Sequence, residues 1–413
     1  MPTSNRAVIY SEPGTLKTEV VELPIPKPGR GEVLVRLLYS GVCHTDIGFC
    51  MNHFPNLPAP TQPGQIGGHE GAGQVVAHGE GVEFPAIGSN VGIKYAADAC
   101  LTCDNCLEGG ESSCKKTKIS GYFTPGTFQQ YCLAPAHYVT PIPSGLDLAA
   151  AAPLMCGGIT VYTSLRTAGM RVGDWVVISG AGGGLGHLAI QYAKALGGKV
   201  LAVDTGAKEE LCRSLGANEF VDFTKFSTDA DLAARVKDIT SGGARVALMC
   251  ASSSRAYAQA MSWLGFRGTV ACLGIPEKEG ALIPNIVAMV TDELRIIATK
   301  TGNRLDAKQC LELAAAGGVT PQYQLRKMED LSSSRSAQVN ILDVDINVGN
   351  QTERAGQLYE SRGAKRKEPK IPQTYSILHT GPLNLLAWTR ILAPTISIRA
   401  APADLGWGDT PYL

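Results

Sequence analysis

The sequence has no net charge: 37 lysines and arginines stand against 37 aspartates and glutamates. That balance gives no global field for nucleic acid or an anionic membrane, so neither is an expected partner; small molecules and copies of the chain itself are. The opening residues, MPTSNRAVIYSEPG, carry no basic-then-apolar signal peptide and no Arg-rich amphipathic presequence, which leads us to expect a cytoplasmic protein. Long hydrophobic runs are missing too. The most apolar stretch, LAAAAPLMCGGITV (Leu148 to Val161), is shorter than a bilayer requires and is interrupted by Pro153, Gly157 and Gly158, so it reads as buried core. In a reducing compartment, the 12 cysteines are not expected to form a disulfide framework.

What the chain does have is length, an apolar interior and clustered cysteines. Its 413 residues are too many for one compact core and suggest two domains or three. Within ACLTCDNCLEGGESSC, Cys100, Cys103, Cys106 and Cys114 form C-x2-C-x2-C-x7-C. Short spacings let one loop turn four sulfurs inward around a tetrahedral ion, and four thiolates suit zinc. A closed four-sulfur shell leaves no position for substrate, so this site would be structural, holding a polar surface lobe that cannot pack itself. An iron–sulfur cluster has related spacings, although no second cluster motif or following Cys-Pro is present; four unligated thiols are the remaining alternative.

From Asp174 the text reads DWVVISGAGGGLGHLAIQYAKALGGKVLAVD: strand, glycine turn, helix, strand, acidic residue. Gly180, Gly183 and Gly186, with Gly184 among them, permit a tight turn, approach of a pyrophosphate to the backbone and close packing of helix on strand. Asp204 ends the second strand, where its carboxylate can accept hydrogen bonds from adenosine ribose hydroxyls and repel a 2′-phosphate, favouring NAD over NADP. Lys208 is within reach of the same ribose or is a solvated helix-start lysine. The runs EFVDF, RVALMC, GTVACLG and LRIIAT bring the count to about six strands, a complete dinucleotide-binding fold inserted between two parts of another domain.

Upstream lie GVCHTDIGFC, GGHEGAG and APLMCGG. Taken singly, Cys43 and Cys156 would more often be buried apolar thiols, His69 a hydrogen-bonded loop histidine and Glu70 an ion-pair partner. Together with the quartet and the inserted nucleotide unit, they resemble the zinc-dependent medium-chain alcohol dehydrogenases, especially the fungal ethanol-type enzymes, from about Val8 to Leu331. The resemblance implies an α/β fold with a Rossmann domain inserted in a mainly β, GroES-like catalytic domain. Its divisions would be 1–157 (catalytic, with the zinc lobe at about 98–116), 158–300 (NAD-binding), 301–331 (return to the catalytic domain) and 332–413 (atypical tail).

By the same resemblance two zinc ions bind per chain. Cys43, His69 and Cys156 would hold the catalytic one, with Glu70 as an alternate ligand, Asp46 orienting His69, Thr45 contacting the substrate hydroxyl and His44 near the coenzyme pyrophosphate. Phe54 and Tyr95 would line the substrate pocket at positions often occupied by tryptophan, leaving room for longer or branched primary alcohols. The resemblance also implies a homodimer or homotetramer. Gly48 stands where the family commonly ends its proton relay in histidine; water beside Gly48 is expected to complete it, with His53 as an alternative.

After YQLRKMEDL the match stops, and residues 332–413 show no sustained period. If the usual closing strand is missing, an edge of the catalytic sheet is expected to be unpaired. The leading expectation is an NAD-dependent alcohol dehydrogenase interconverting small primary alcohols and aldehydes. The alternatives are a polyol or secondary-alcohol dehydrogenase of the same superfamily and an inactive zinc- and NAD-binding relic.

Overall fold

The computed structural model describes residues 4–54, 57–276, 285–332 and 344–347. All of these residues belong to one compact unit.

The nucleotide-binding half is built on Trp175–Ser179, Lys199–Asp204, Glu219–Asp222, Ala244–Met249, Leu264–Cys272 and Arg295–Ala298. All neighbouring pairs are parallel, and counted along the chain the strands lie in the order 3-2-1-4-5-6. The six strands expected from the sequence are all present. Side chains alternate across a strand, so Val176 and Ile178 enter one core while Val177 enters the core on the opposite face; all three are fully buried. Burial of each contributes about 1.5–3 kcal/mol. Because the first strand lies between the second and the fourth, connections leave it in opposite directions and open a crevice at the carboxyl ends of the strands.

The other half is mainly antiparallel. Thr140–Pro141, Asn90–Ile93, Gly71–His78 and Glu32–Gly41 lie in that order, and Tyr131–Pro135 also pairs with Glu32–Gly41. Val33, Val35, Leu37, Val75 and Val91 fill the core beneath them. The edge of Glu32–Gly41 is covered: Val344–Asn347, within the segment read as aperiodic, runs antiparallel to Tyr39–Gly41 and parallel to Gln324–Lys327, which becomes the outermost strand. Four residues of alternating character are enough for this strand, too few to register as a sustained period. The rest of the atypical tail expected at 332–413 lies outside the described residues.

The apolar stretch at Leu148 also differs from expectation. Pro153 and the two glycines do not end it: a π-helical turn, Leu154–Gly158, joins Leu148–Pro153 to Ile159–Thr167. The continuous helix Leu148–Thr167 is long and apolar enough to cross a membrane by length and composition. Ala151, Ala152, Leu154, Met155, Ile159, Val161 and Leu165 are nevertheless all buried in the protein core.

The cysteine-rich lobe projects between Ala96–Asp98 and Lys118–Ile119, which pair with each other. Glu111, buried within it, accepts hydrogen bonds from the backbone N and Nε of Arg304 at 3.1 and 3.0 Å, tying the lobe to the start of the Arg304–Ala315 helix. Beneath this tie lies Lys94, whose Nζ donates to the Tyr138 carbonyl at 2.6 Å and sits 3.7 Å from the centre of the Tyr138 ring. Burial pushes the Lys94 amine down to about 7, with Glu111 opposing that effect. In the unfolded chain the same amine titrates near about 10.4, so unfolding takes up a proton between these values and stability rises with pH through that window. Thermal melts from pH 6.5 to 9 are expected to show this rise, and Lys94→Met is expected to flatten it; a slope unchanged by the substitution would contradict the assignment.

Candidate metal centres and coenzyme cleft

The four lobe sulfurs face one another. Cys100 and Cys114 are 3.5 Å apart, Cys103 and Cys106 3.6 Å, Cys103 and Cys114 3.8 Å, and Cys100 and Cys106 4.0 Å. These separations are far beyond the roughly 2.05 Å of a disulfide. They match the edge of a tetrahedron with a centre-to-sulfur distance of about 2.3 Å, the zinc–thiolate length. Backbone N–H groups of Thr102 and Cys103 hold the Cys100 thiol down at about 6, which favours the thiolate a metal needs. Zinc fits this shell, and the closed-shell reading of the spacing agrees with it.

The second cluster is assembled from three distant segments. Cys43 caps the short helix His44–Cys50, His69 and Glu70 precede the strand Gly71–His78, and Cys156 lies on the π-helical turn. One ligand atom from each of these four residues lies within 4.8 Å of every other. Asp46 fixes the arrangement with both oxygens: Oδ2 accepts from the Cys43 backbone N and Oδ1 meets His69 Nδ1, each at 2.9 Å. With Nδ1 engaged, His69 Nε2 is fully buried and has no hydrogen-bond partner. An unpartnered imidazole nitrogen beside two thiols is the three-donor set of an open zinc site, with the Glu70 carboxylate in reach of the fourth position, so this site also fits the metal.

Without a metal, the ionisable groups of the cluster shift one another. Hydrogen bonding from Cys156 holds the Cys43 thiol well below its ordinary value, against the effect of burial, while the Cys156 thiol is held well above its own. The pair therefore favours one thiolate over two thiols. Burial, the largest influence on the His69 pKa, lowers it, but the Asp46 carboxylate and the Cys43 sulfur together outweigh it and raise it well above normal. Glu70 is buried, and its backbone N donates to Thr127 Oγ1 at 3.3 Å; that hydroxyl also bonds Ser40 Oγ at 2.7 Å. Ser40 and Thr127 escaped the sequence reading because no short-range signal links residues that far apart.

Aromatic side chains gather on one side of His69. Tyr95 meets the His69 ring edge-on at 5.6 Å, Phe49 stacks on Tyr95 at 6.5 Å, and Phe54 meets Phe49 edge-on at 5.5 Å. Phe54, Tyr95 and Tyr122 pack against one apolar cluster that contains Phe49, and neither Phe49 nor Tyr122 was anticipated. Thr45 is half-buried and His44 exposed at the start of the short helix. The expected water space beside Gly48 is taken: a Cβ there would lie 2.3 Å from the Phe54 ring. Aromatic packing, invisible to a relay argument made residue by residue, fills the gap that glycine leaves.

In the crevice, Gly180 adopts φ +65° and Gly183 caps the helix Gly184–Ala195. A Cβ at Gly186 would stand 2.1 Å from the Gly180 carbonyl oxygen, so only glycine permits this close packing of helix on turn. Asp204 accepts from the backbone N of Gly182 at 2.8 Å and of Thr205 at 2.7 Å, which holds its carboxylate at the mouth of the glycine turn. Lys208 packs its stem against Gly182, where any Cβ would meet it at 2.7 Å. His187 is a satisfied core histidine: Nδ1 faces the Gly183 carbonyl at 3.1 Å and Nε2 accepts from Gln322 N at 3.2 Å.

A parallel dinucleotide fold facing an open Cys–His–Cys cluster, with a separate four-cysteine lobe, defines a zinc-dependent dehydrogenase. Residues 29–144 match the alcohol dehydrogenase GroES-like domain family and residues 184–319 the zinc-binding dehydrogenase family. The chain belongs to the zinc-type medium-chain alcohol dehydrogenases and is an oxidoreductase. It is 47% identical over 342 residues to alcohol dehydrogenase 2 of Emericella nidulans, covering 80% of this chain and 93% of that one. Among solved structures, an NAD-dependent alcohol dehydrogenase superposes with TM-score 0.74 at 28% identity, covering 83% of this chain and all of the other. Acetophenone reductase from Geotrichum candidum, in complex with NAD, superposes at 0.70 and 26% identity, covering 84% and 98%.

The contact between Gly48 and Phe54 is open to a stability test. Gly48→Ala is expected to lower the melting temperature by about 2–4 °C, because the Phe54 ring must leave its place against Phe49. In a Phe54→Ala background the same substitution is expected to be neutral or stabilising, as alanine suits a helix better than glycine. Equal effects in both backgrounds would show that the ring does not occupy that space.

Proposed function

We propose that this enzyme interconverts small primary alcohols and aldehydes with NAD(H), using the Cys43, His69 and Cys156 cluster as a catalytic zinc site. The observation that carries the reading is the buried, unpartnered Nε2 of His69, aimed among two thiols and oriented from behind by Asp46. Zinc held there supplies an electrophile that stabilises the negative charge left on the substrate oxygen when its proton departs.

The remaining work belongs to side chains. Asp46 keeps Cys43 and His69 in register, so the donor set is preorganised and substrate binding does not have to arrange it. Glu70 stands ready as an alternate donor. Phe49, Phe54 and Tyr95 exclude water around the reacting carbon and fit a short apolar chain. The Thr45 hydroxyl, on the helix that begins beside Cys43, accepts the alcohol proton as it passes its own proton on. With Phe54 over Gly48, the proton leaves towards exposed His53, whose backbone N donates to the Gly48 carbonyl at 2.9 Å.

Gly180, Gly183 and Gly184 present backbone to the coenzyme pyrophosphate, with His44 at the opposite side. Asp204, held by two amides, takes the adenosine ribose hydroxyls and disfavours a 2′-phosphate; Lys208 flanks them. Self-association into two or four copies is part of the same reading. Ile286, Val287 and Val290 are exposed beside the outermost strand Arg295–Ala298, an apolar face suited to a second copy.

Cys43→Ser is expected to reduce ethanol oxidation to background and to remove one of two zinc ions while leaving NADH affinity unchanged. Cys103→Ser is expected to lower the melting temperature by roughly 5 °C or more while preserving substantial turnover at low temperature. Paired metal analysis and kinetics check this. Equal loss of activity and stability in both variants would remove the division between a catalytic and a structural site.

A further inference from the structure

One cation at the cleft has no role in the chemistry above. Lys300 follows Arg295–Ala298, the last strand of the parallel sheet, and so stands at the carboxyl edge where the crevice opens. Its neighbour Thr299 turns the other way and bonds Ser164 within the helix Ile159–Thr167. Two residues further on, a Cβ at Gly302 would lie 2.3 Å from Thr163 on that helix, so the chain on both sides of Lys300 is seated against it.

From this seat Lys300 reaches across to the catalytic half. Its Nζ lies 5.7 Å from the centre of the Tyr95 ring, and Tyr95 in turn meets the His69 ring edge-on at 5.6 Å. Among the described residues no carboxylate lies within 4.0 Å of the ammonium, whereas the arginines and lysines elsewhere on the surface that form ion pairs have one. Lys300 is an exposed residue. Packing around it still lowers its pKa from the ordinary lysine value, and no acidic group opposes that shift. A cation that is partly desolvated, without an acidic partner among the described residues and resting on an aromatic wall is poised to receive an anion from the cleft.

We propose that Lys300 is a specificity-determining residue that binds the anionic far end of the substrate, so that aldehydes carrying a distal carboxylate, and the corresponding hydroxy acids, are preferred over neutral compounds of the same length. The inference rests on the alcohol dehydrogenase reading and refines its substrate class. The reaction itself is unchanged. A hydride passes from NADH to the aldehyde carbon and a proton to its oxygen, giving the alcohol and NAD, while the carboxylate stays intact beside Lys300. Tyr95, between the ammonium and His69, spaces the two ends.

Two matched pairs of probes test this on the full-length zinc-loaded enzyme. Succinate semialdehyde and butyraldehyde compare turnover; succinamate and butyramide, which do not react, compare binding to the enzyme–NADH complex by fluorescence titration. Lys300→Met is expected to lower kcat/KM for succinate semialdehyde about tenfold and to weaken succinamate binding by a similar factor, with butyraldehyde and butyramide within about twofold of wild type. Lys300→Arg is expected to keep most of the preference. The inference is overturned if both members of each pair change together, or if Lys300→Met chiefly weakens NADH binding, which would make the coenzyme phosphates the anion served. Turnover of butyraldehyde with no charge preference dependent on Lys300 overturns this inference alone, whereas no turnover of either aldehyde, with zinc and NADH bound, overturns the dehydrogenase reading itself.

Discussion

Everything at the reactive end of this molecule depends on one carboxylate. Asp46 has two oxygens and places each 2.9 Å from a different partner, the backbone N of Cys43 and the ring of His69. Cys43 caps a short helix and His69 lies in a loop before a strand, with Cys156 brought in from a third segment, so nothing local holds the three donors together. The Asp46 bonds convert a sequence separation of more than twenty residues into a rigid constellation. They also leave His69 Nε2 as the nitrogen facing the thiols. A buried polar atom without a partner costs about 1–3 kcal/mol unless something satisfies it, and a metal ion does.

The two halves of the chain divide the work according to their architecture. The parallel sheet buries both faces, and its crevice offers backbone amides and Asp204 to a dinucleotide. The antiparallel half supplies the donors, the aromatic wall and a four-cysteine lobe that is polar enough to need a metal as its core. Between them, the helix through the π-helical turn carries Cys156 and packs against the nucleotide-binding core, so one continuous element belongs to both. An extra residue in such a turn reorients the side chain it carries, a device found often at functional sites.

Much of this was legible in the sequence because the chemistry is local. The C-x2-C-x2-C-x7-C spacing fixes the tetrahedral lobe, and the glycine turn with Asp204 fixes the nucleotide crevice, each within a few dozen residues. The donors Cys43, His69 and Cys156 became legible only as a set and by likeness to a family. What escaped lies in long-range packing. Phe54 over Gly48, Thr127 beneath Glu70 and Lys300 across from Tyr95 each depend on side-chain placement between segments that share no motif. The strand Val344–Asn347 escaped for a different reason: four residues pair well with existing edges but carry too little pattern to announce themselves.

The central claim is that two unlike zinc sites exist in one chain, one closed by four sulfurs and one open, with two sulfurs and an imidazole. X-ray absorption at the zinc edge of freshly purified, catalytically active protein tests it most directly. The account expects two zinc ions per chain and an average shell of about three sulfurs and one nitrogen or oxygen per zinc. An active protein containing a single zinc in a shell of sulfur alone would contradict it, because turnover would then proceed with nothing bound among Cys43, His69 and Cys156.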